Sequence, residues 1–131
     1  MGRALAMILD TCAVLWFAFD RDKLTDDTID RIENSDAIRI CTLSFWEIGI
    51  KVQKKKLVLP LGVDELAHLF MQNESVELVS PDIAIVSLAL KLDWQHRDPV
   101  DRMVVATAQK YGDVIVTADS EISAFYPRTI R

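Results

Sequence analysis

Five acidic residues in this sequence stand where carboxylates could be gathered for phosphoryl chemistry. Asp10 directly follows the apolar run Ala4–Leu9, and Glu47 closes the stretch Ser44-Phe45-Trp46-Glu47. Asp98 and Asp101 lie three apart in Asp98-Pro99-Val100-Asp101, and Asp119 ends a Thr-Ala-Asp that follows the apolar run Val114–Val116. Carboxylates brought close together repel, and each loses acidity unless a cation neutralises the group. A divalent ion with oxygen ligands removes that conflict. The chain has only two histidines, His68 and His96, and two well-separated cysteines, Cys12 and Cys41, so neither a histidine cluster nor a paired-cysteine zinc site is expected. One or two Mg²⁺ or Mn²⁺ ions are expected instead. An ion of this kind acidifies water beside a phosphate, and phosphodiester hydrolysis is the reaction such a set serves best.

Each acid also has a simpler reading. Ser44 to Glu47 has the spacing of a helix capping box, Asp98 to Asp101 resembles a variant of it, and Asp119 suits an Asx turn. Asp10, between an apolar strand and an apolar helix, has few tasks beyond capping. Five separate coincidences are a less economical account than one shared site.

The elements that would position these acids can be read from apolar patterning. Ala4–Leu9 reads as a strand buried on both faces, Ala37–Cys41 as a second, Val76–Val79 as a third, Val114–Val116 as a fourth, and Thr129–Ile130 as a weak last one. Between them fall helical segments. One follows Asp10, one starts after the capping hydroxyl of Thr25, one is opened by Ser44 and ends at Lys54–Lys56, and one covers Val63–Gln72. Another starts at Ser80-Pro81-Asp82, and the last runs from Asp98-Pro99 to Gly112. Strands alternating with helices predict an α/β fold with a central, mainly parallel sheet of four to five strands flanked by helices, as a single domain over residues 1–131. In such a sheet ligands bind beyond the carboxyl ends of the strands, which is where Asp10 and Asp119 fall.

Composition sets the outer limits. The 131 residues carry 20 acidic and 15 basic side chains, a formal net charge of −5, so no basic face is available for blanketing phosphates. A local nucleic-acid site is still compatible with that count. Half the residues are hydrophobic, which excludes extensive disorder, and no apolar run approaches the roughly 20 residues that span a bilayer. A cytoplasmic protein with both cysteines buried as free thiols is expected. Trp16 and Trp46 lie in apolar stripes and are expected in the core; His96, in a loop beside Arg97, is a candidate for phosphate contact or proton transfer, with simple exposure as the plainer reading.

Taken together, Ile8-Leu9-Asp10-Thr11, Ser44-Phe45-Trp46-Glu47-Ile48 with Lys51, His96-Arg97-Asp98-Pro99-Val100-Asp101-Arg102-Met103 and Val116-Thr117-Ala118-Asp119 give the chain a resemblance to PIN-domain ribonucleases, and most closely to VapC-type toxins of bacterial toxin–antitoxin pairs. The resemblance runs along nearly the whole chain. It implies a parallel sheet between helices, a Mg²⁺- or Mn²⁺-dependent endoribonuclease, and a cognate antitoxin that blocks the site. It matches Asp10, Glu47, Asp101 and Asp119 to the family's metal-binding and catalytic acids, with Asp98 as an additional ligand. Two positions depart from the pattern: Val100 stands where similar sequences carry an aromatic residue, and Cys12 follows Asp-Thr. With RNA as substrate, Lys51, Arg97 and Arg102 become candidates to line its path, while Lys54–Lys56 suit a solvated helix end equally well. The aromatic-rich early helices then suggest a partner surface for a second copy, as a homodimer, or for an antitoxin peptide.

Two rival functions fit less of the sequence. A phosphoryl-transfer domain using Asp10 as nucleophile would carry further acids beside it, and position 12 is cysteine. A non-catalytic α/β binding module would use the acids only as caps and would gain no stability from divalent ions.

Overall fold

The computed structural model of the chain describes residues 6–131. At its centre lies β1 (Met7–Leu9), three apolar residues without solvent exposure. Ala4 and Leu5 of the expected first strand lie outside the described residues. A continuous apolar strand suits the middle of a parallel sheet covered on both faces. β1 pairs in parallel with β2 (Ile38–Cys41) on one side and β4 (Val114–Val116) on the other. β3 (Val76–Val79) adds beyond β2, and the two-residue β5 (Thr129–Ile130) adds beyond β4. The order is therefore β3-β2-β1-β4-β5, every pair parallel, as the alternating pattern predicts.

Among the described residues seven α-helices cover this sheet: α1 (Thr11–Phe19), α2 (Asp26–Glu33), α3 (Thr42–Gln53), α4 (Val63–Met71), α5 (Ile83–Lys91), α6 (Pro99–Tyr111) and α7 (Ser120–Phe125). The two-residue period of the strands divides the core. Met7, Leu9, Ile38, Ile40 and Val116 pack with Val14 of α1, Ile48 of α3 and Leu66 of α4. Ile8, Cys41 and Ile115 pack with Val104, Val105 and Ala108 of α6 and Ile122 of α7. Full burial of each large aliphatic side chain contributes about 1.5–3 kcal/mol. The carboxyl ends of β1 and β4 are thereby held by core on both faces.

Several helix ends follow the expected chemistry. Thr25 accepts from the Thr28 amide at the start of α2, Pro99 occupies the first turn of α6, and Gly112 ends α6 at φ 70°, a left-handed conformation that suits glycine. Val100, the departure in the Asp-Pro-Val-Asp stretch, is buried packing. Other expectations are corrected. α3 begins at Thr42 rather than Ser44, because the chain turns from β2 straight into helix and Ser44 is buried accepting from the Thr11 hydroxyl at 3.1 Å. α5 begins at Ile83 with Asp82, not Ser80, accepting from the Ile85 amide. α7 has no counterpart in the sequence pattern: its six residues are too few to show a period. Cys12 is exposed rather than buried, since it projects away from the buried Thr11, Ala13 and Val14 of the same turn of α1, and only Cys41 is a core thiol. Trp46 is 59% exposed. No helix among the described residues is long and apolar enough to cross a membrane.

Candidate active site

Strand order in the sheet reverses between β1 and β4, and in open parallel sheets that reversal leaves a crevice at the carboxyl ends. Asp10 enters this crevice from β1 and caps α1, its Oδ1 accepting from the Ala13 amide at 2.8 Å. Its Oδ2 accepts from the hydroxyl of Thr117, the first residue after β4. The same Thr117 oxygen accepts from the Asp119 amide at 3.0 Å, so one buried hydroxyl ties the two strand ends together. Asp119 in turn caps α7 through the Glu121 amide at 2.8 Å. On the other flank, the Thr11–Ser44 hydrogen bond ties the start of α1 to α3, the helix that carries Glu47.

The loop before α6 supplies the remaining acids. Asp98 caps α6 by accepting from the Val100 and Asp101 amides. Asp101 does not close a capping box. Its Oδ2 lies 2.7 Å from His96 Nε2, while His96 Nδ1 lies 2.8 Å from Glu121 of α7. His96 is therefore not a free loop side chain: it bridges two carboxylates, and its ring is 4.7 Å from that of Trp94, which stacks on Phe125 at 5.0 Å. Three helix starts thus coincide with three of the acids. Capping and site-building are the same act here, because a cap places its carboxylate at the positive end of the helix it starts.

Asp10, Asp98, Asp101 and Asp119 line one cavity of about 360 Å³, together with Cys12, Trp16 and Lys51. Glu47 does not line it, yet its charge is felt by both Asp10 and Cys12. Burial raises the Asp10 carboxyl above its ordinary range; the hydrogen bonds from Thr117 and Ala13 oppose this, and the charges of Asp119 and Glu47 reinforce it. Burial likewise pushes Asp101 up to about 6, opposed by His96 and reinforced by Asp98 and Asp10. For His96, burial disfavours the charged ring, but Asp101, Glu121 and Asp119 outweigh it and raise its pKa. A cluster in which carboxylates hold one another's pKa up is short of positive charge. Its oxygen donors fit a hard divalent ion, and two groups of side chains could hold one: His96 with Asp98 and Asp101, and His96 with Asp119 and Glu121.

The basic candidates separate. Lys51 lines the acid cavity, and Arg97 lines the neighbouring one beside Trp94 and His96. Arg102 goes elsewhere. Its guanidinium donates to the carbonyls of Ala89, Leu92, Trp94 and His96, closing the end of α5 and fixing the loop, which is a structural task. Two contributors have no assigned role in the sequence reading, Thr117, whose position at a strand end near Asp119 is the available signal, and Glu121; the partners of His96 are also new, since its meeting with Glu121 depends on the unforeseen α7.

Comparison with known proteins bears on the family and the fold. The PIN domain family model matches residues 7–126. Ribonuclease VapC22 of Mycobacterium tuberculosis is 22% identical over 125 residues, covering 95% of each chain. Among solved structures, VapBC2 from Rickettsia felis bound to a promoter DNA fragment superposes with a TM-score of 0.67 at 12% identity, covering 96% of both chains. VapC20 of Mycobacterium tuberculosis, described as a sarcin-ricin loop cleaving toxin, gives 0.61 at 17% identity, covering 91% of this chain and 94% of that one. A toxin–antitoxin complex from Klebsiella pneumoniae gives 0.62 at 14% identity over 96% and 97%. The identities between solved structures and this chain support the fold, and the match to the family model over most of its length supports more: the chain belongs to the PIN domain family.

Proposed function

We propose that this protein is an endoribonuclease that hydrolyses RNA phosphodiester bonds with the help of Mg²⁺ or Mn²⁺, and that it serves as the toxin of a toxin–antitoxin pair. The observation that carries the reading is the gathering of Asp10, Asp98, Asp101 and Asp119 around one cavity at the strand-order reversal. Asp10, Asp101 and Asp119 are assigned as the principal ligands of a divalent ion. Asp98 completes the set, and Glu47 acts from the α3 side as a ligand or a positioning acid. When bound, the ion supplies Lewis-acid charge at a phosphate and makes water a competent nucleophile near neutral pH. Thr117 holds Asp10 and Asp119 in register, and His96 fixes the orientation of Asp101. Lys51 adds a cation on the cavity wall for a phosphate that would otherwise meet only acids.

The relatives support both halves of this reading. One carries the name of a ribonuclease, another is described as cleaving the sarcin-ricin loop, and others are toxin–antitoxin complexes. For an antitoxin or a second copy, the protein offers exposed apolar side chains at Phe19, Trp46, Leu69 and Met71, and a groove of about 190 Å³ between α1 and α4. The test is RNA cleavage in Mg²⁺ or Mn²⁺, in excess chelator, and with Asp10→Asn. Cleavage that needs the ion and is lost in the variant is the expected result; chelator-resistant cleavage, or full activity of Asp10→Asn, would overturn the reading.

A further inference from the structure

The acid cavity has a neighbour lined mostly by side chains outside the acid set. A second cavity of about 570 Å³ opens between the loop Trp94–Arg97 and α7, a volume typical of small-ligand sites. Its apolar side is built from rings. Phe125 stacks on Trp94 with an interplanar angle of 14°, and the His96 ring lies against Trp94 at 32°. This column runs from α7 to the acids, because its last member, His96, bonds Asp101. The two cavities therefore adjoin through His96.

The polar side of the second cavity carries groups with nothing to do in the fold. The side chains of Arg97 and Gln95 have no hydrogen-bond or ion-pair partner among the described residues. Arg97 is exposed and adjacent in sequence to Asp98, yet forms no ion pair with it, whereas the nearby Arg102 is fully engaged by carbonyls. An unpaired guanidinium suits a phosphate or the face of a base, and an amide beside a carboxylate, Gln95 near Glu121, suits the donors and acceptors on a base edge. An aromatic floor, polar edge groups and a free cation, joined to a phosphate-cleaving cavity, match one ligand chemistry.

We propose that this cavity is a nucleotide subsite that takes the base of an unpaired RNA residue next to the phosphate held at the acids, with Arg97 contacting the backbone or the base face. The inference rests on the ribonuclease reading above and adds to it the place and the side chains that receive a base. A base inside a duplex is stacked and paired and cannot enter such a slot.

The experiment uses a short unstructured RNA carrying 5-iodouridine, bound to the full chain with Asp10→Asn in Mg²⁺ so that the RNA stays intact. Photocross-links are expected at Trp94 or Phe125. In the same background Arg97→Ala should weaken binding of the unstructured RNA about tenfold, within the range for one lost base contact. Its affinity for Mn²⁺ and its melting temperature should be unchanged, and its binding to a fully paired version of the RNA should be unaffected. Cross-links confined to residues outside the loop and α7, or unaltered binding by both Arg97→Ala and Gln95→Ala, would overturn the subsite while leaving the ribonuclease reading intact. If the unsubstituted protein neither binds nor cleaves RNA, the ribonuclease reading fails and the subsite fails with it.

Discussion

Replacing Asp101 with asparagine should make the metal-free protein more stable and the metal-loaded protein relatively less so. Asp101 is held at a pKa of about 6 against an ordinary 3.8, with its side chain only 15% exposed. Above pH 7 both the native and the unfolded carboxyl are ionised, and the native one carries the full cost of the shift. Each pKa unit corresponds to about 1.4 kcal/mol, so the shift sets an upper value of about 3 kcal/mol, reduced to about 1–2 kcal/mol by residual solvent screening. The asparagine side chain keeps an oxygen for His96 and fits the same volume, so little of that gain is lost to repacking. In chelator at pH 7.5 the variant should therefore melt several degrees higher, about 3–6 °C for a domain of this size. With Mn²⁺ at a hundred times its dissociation constant the parent should gain about 2.7 kcal/mol, and the variant should gain much less. The assay is a thermal melt of both proteins with chelator and with Mn²⁺. A variant less stable than the parent in chelator, or equally stabilised by Mn²⁺, would refute the reasoning that Asp101 is an under-neutralised ligand.

Three further outcomes follow from the same interactions. Asp10, Asp101 and His96 all have raised pKa values, so between about pH 4 and 7 the native state binds more protons than the unfolded chain, and the stability of the metal-free protein should fall as pH rises through that window; urea titrations at pH 5.5 and 7.5 in chelator measure the slope, and saturating Mn²⁺ should flatten it. Arg102→Met leaves four carbonyls without their charged donor and should cost about 2–4 kcal/mol, with a matching drop in the urea midpoint. Arg39, on β2, pairs at 2.6 Å with Asp113, whose side chain is fully buried ahead of β4; Arg39→Met should cost about 3–5 kcal/mol, and adding Asp113→Asn should recover most of it.

The parts of the molecule that were legible are those where a local pattern has a single structural solution. Met7–Leu9 and Val114–Val116 have no polar face, which suits central strands, and the acids that follow them, Asp10 directly and Asp119 three residues on, fall at the same sheet edge. Asp98-Pro99 specified a helix start because the proline fits only the first turn and the aspartate satisfies its amides. Where two solutions share one pattern, the local sequence does not separate them. Ser44 has the spacing and type of a residue that opens a helix, but α3 starts at Thr42 and Ser44 instead accepts from the buried hydroxyl of Thr11, 33 positions away. Trp46 continues an apolar stripe, yet it projects about 100° around α3 from the buried Phe45 and reaches solvent. His96, Glu121 and Arg102 acquire their partners only after α5, α6 and α7 are docked. No spacing along the chain records those meetings.

The net charge of −5 takes on a definite meaning in this setting. Setting aside Asp10, Glu47, Asp98, Asp101 and Asp119 from the 20 acids leaves 15, equal to the number of bases. Four of these five acids line one cavity and Glu47 acts on it from α3, so a cation bound there would invert the effect of that charge on a phosphate. The most direct measurement of that claim is anomalous diffraction from crystals grown with Mn²⁺. The expected map has a peak in the cavity within coordination distance of Asp10 and Asp119 or Asp101. A crystal with no peak there, or with Mn²⁺ bound only at acids outside the cavity, would contradict it.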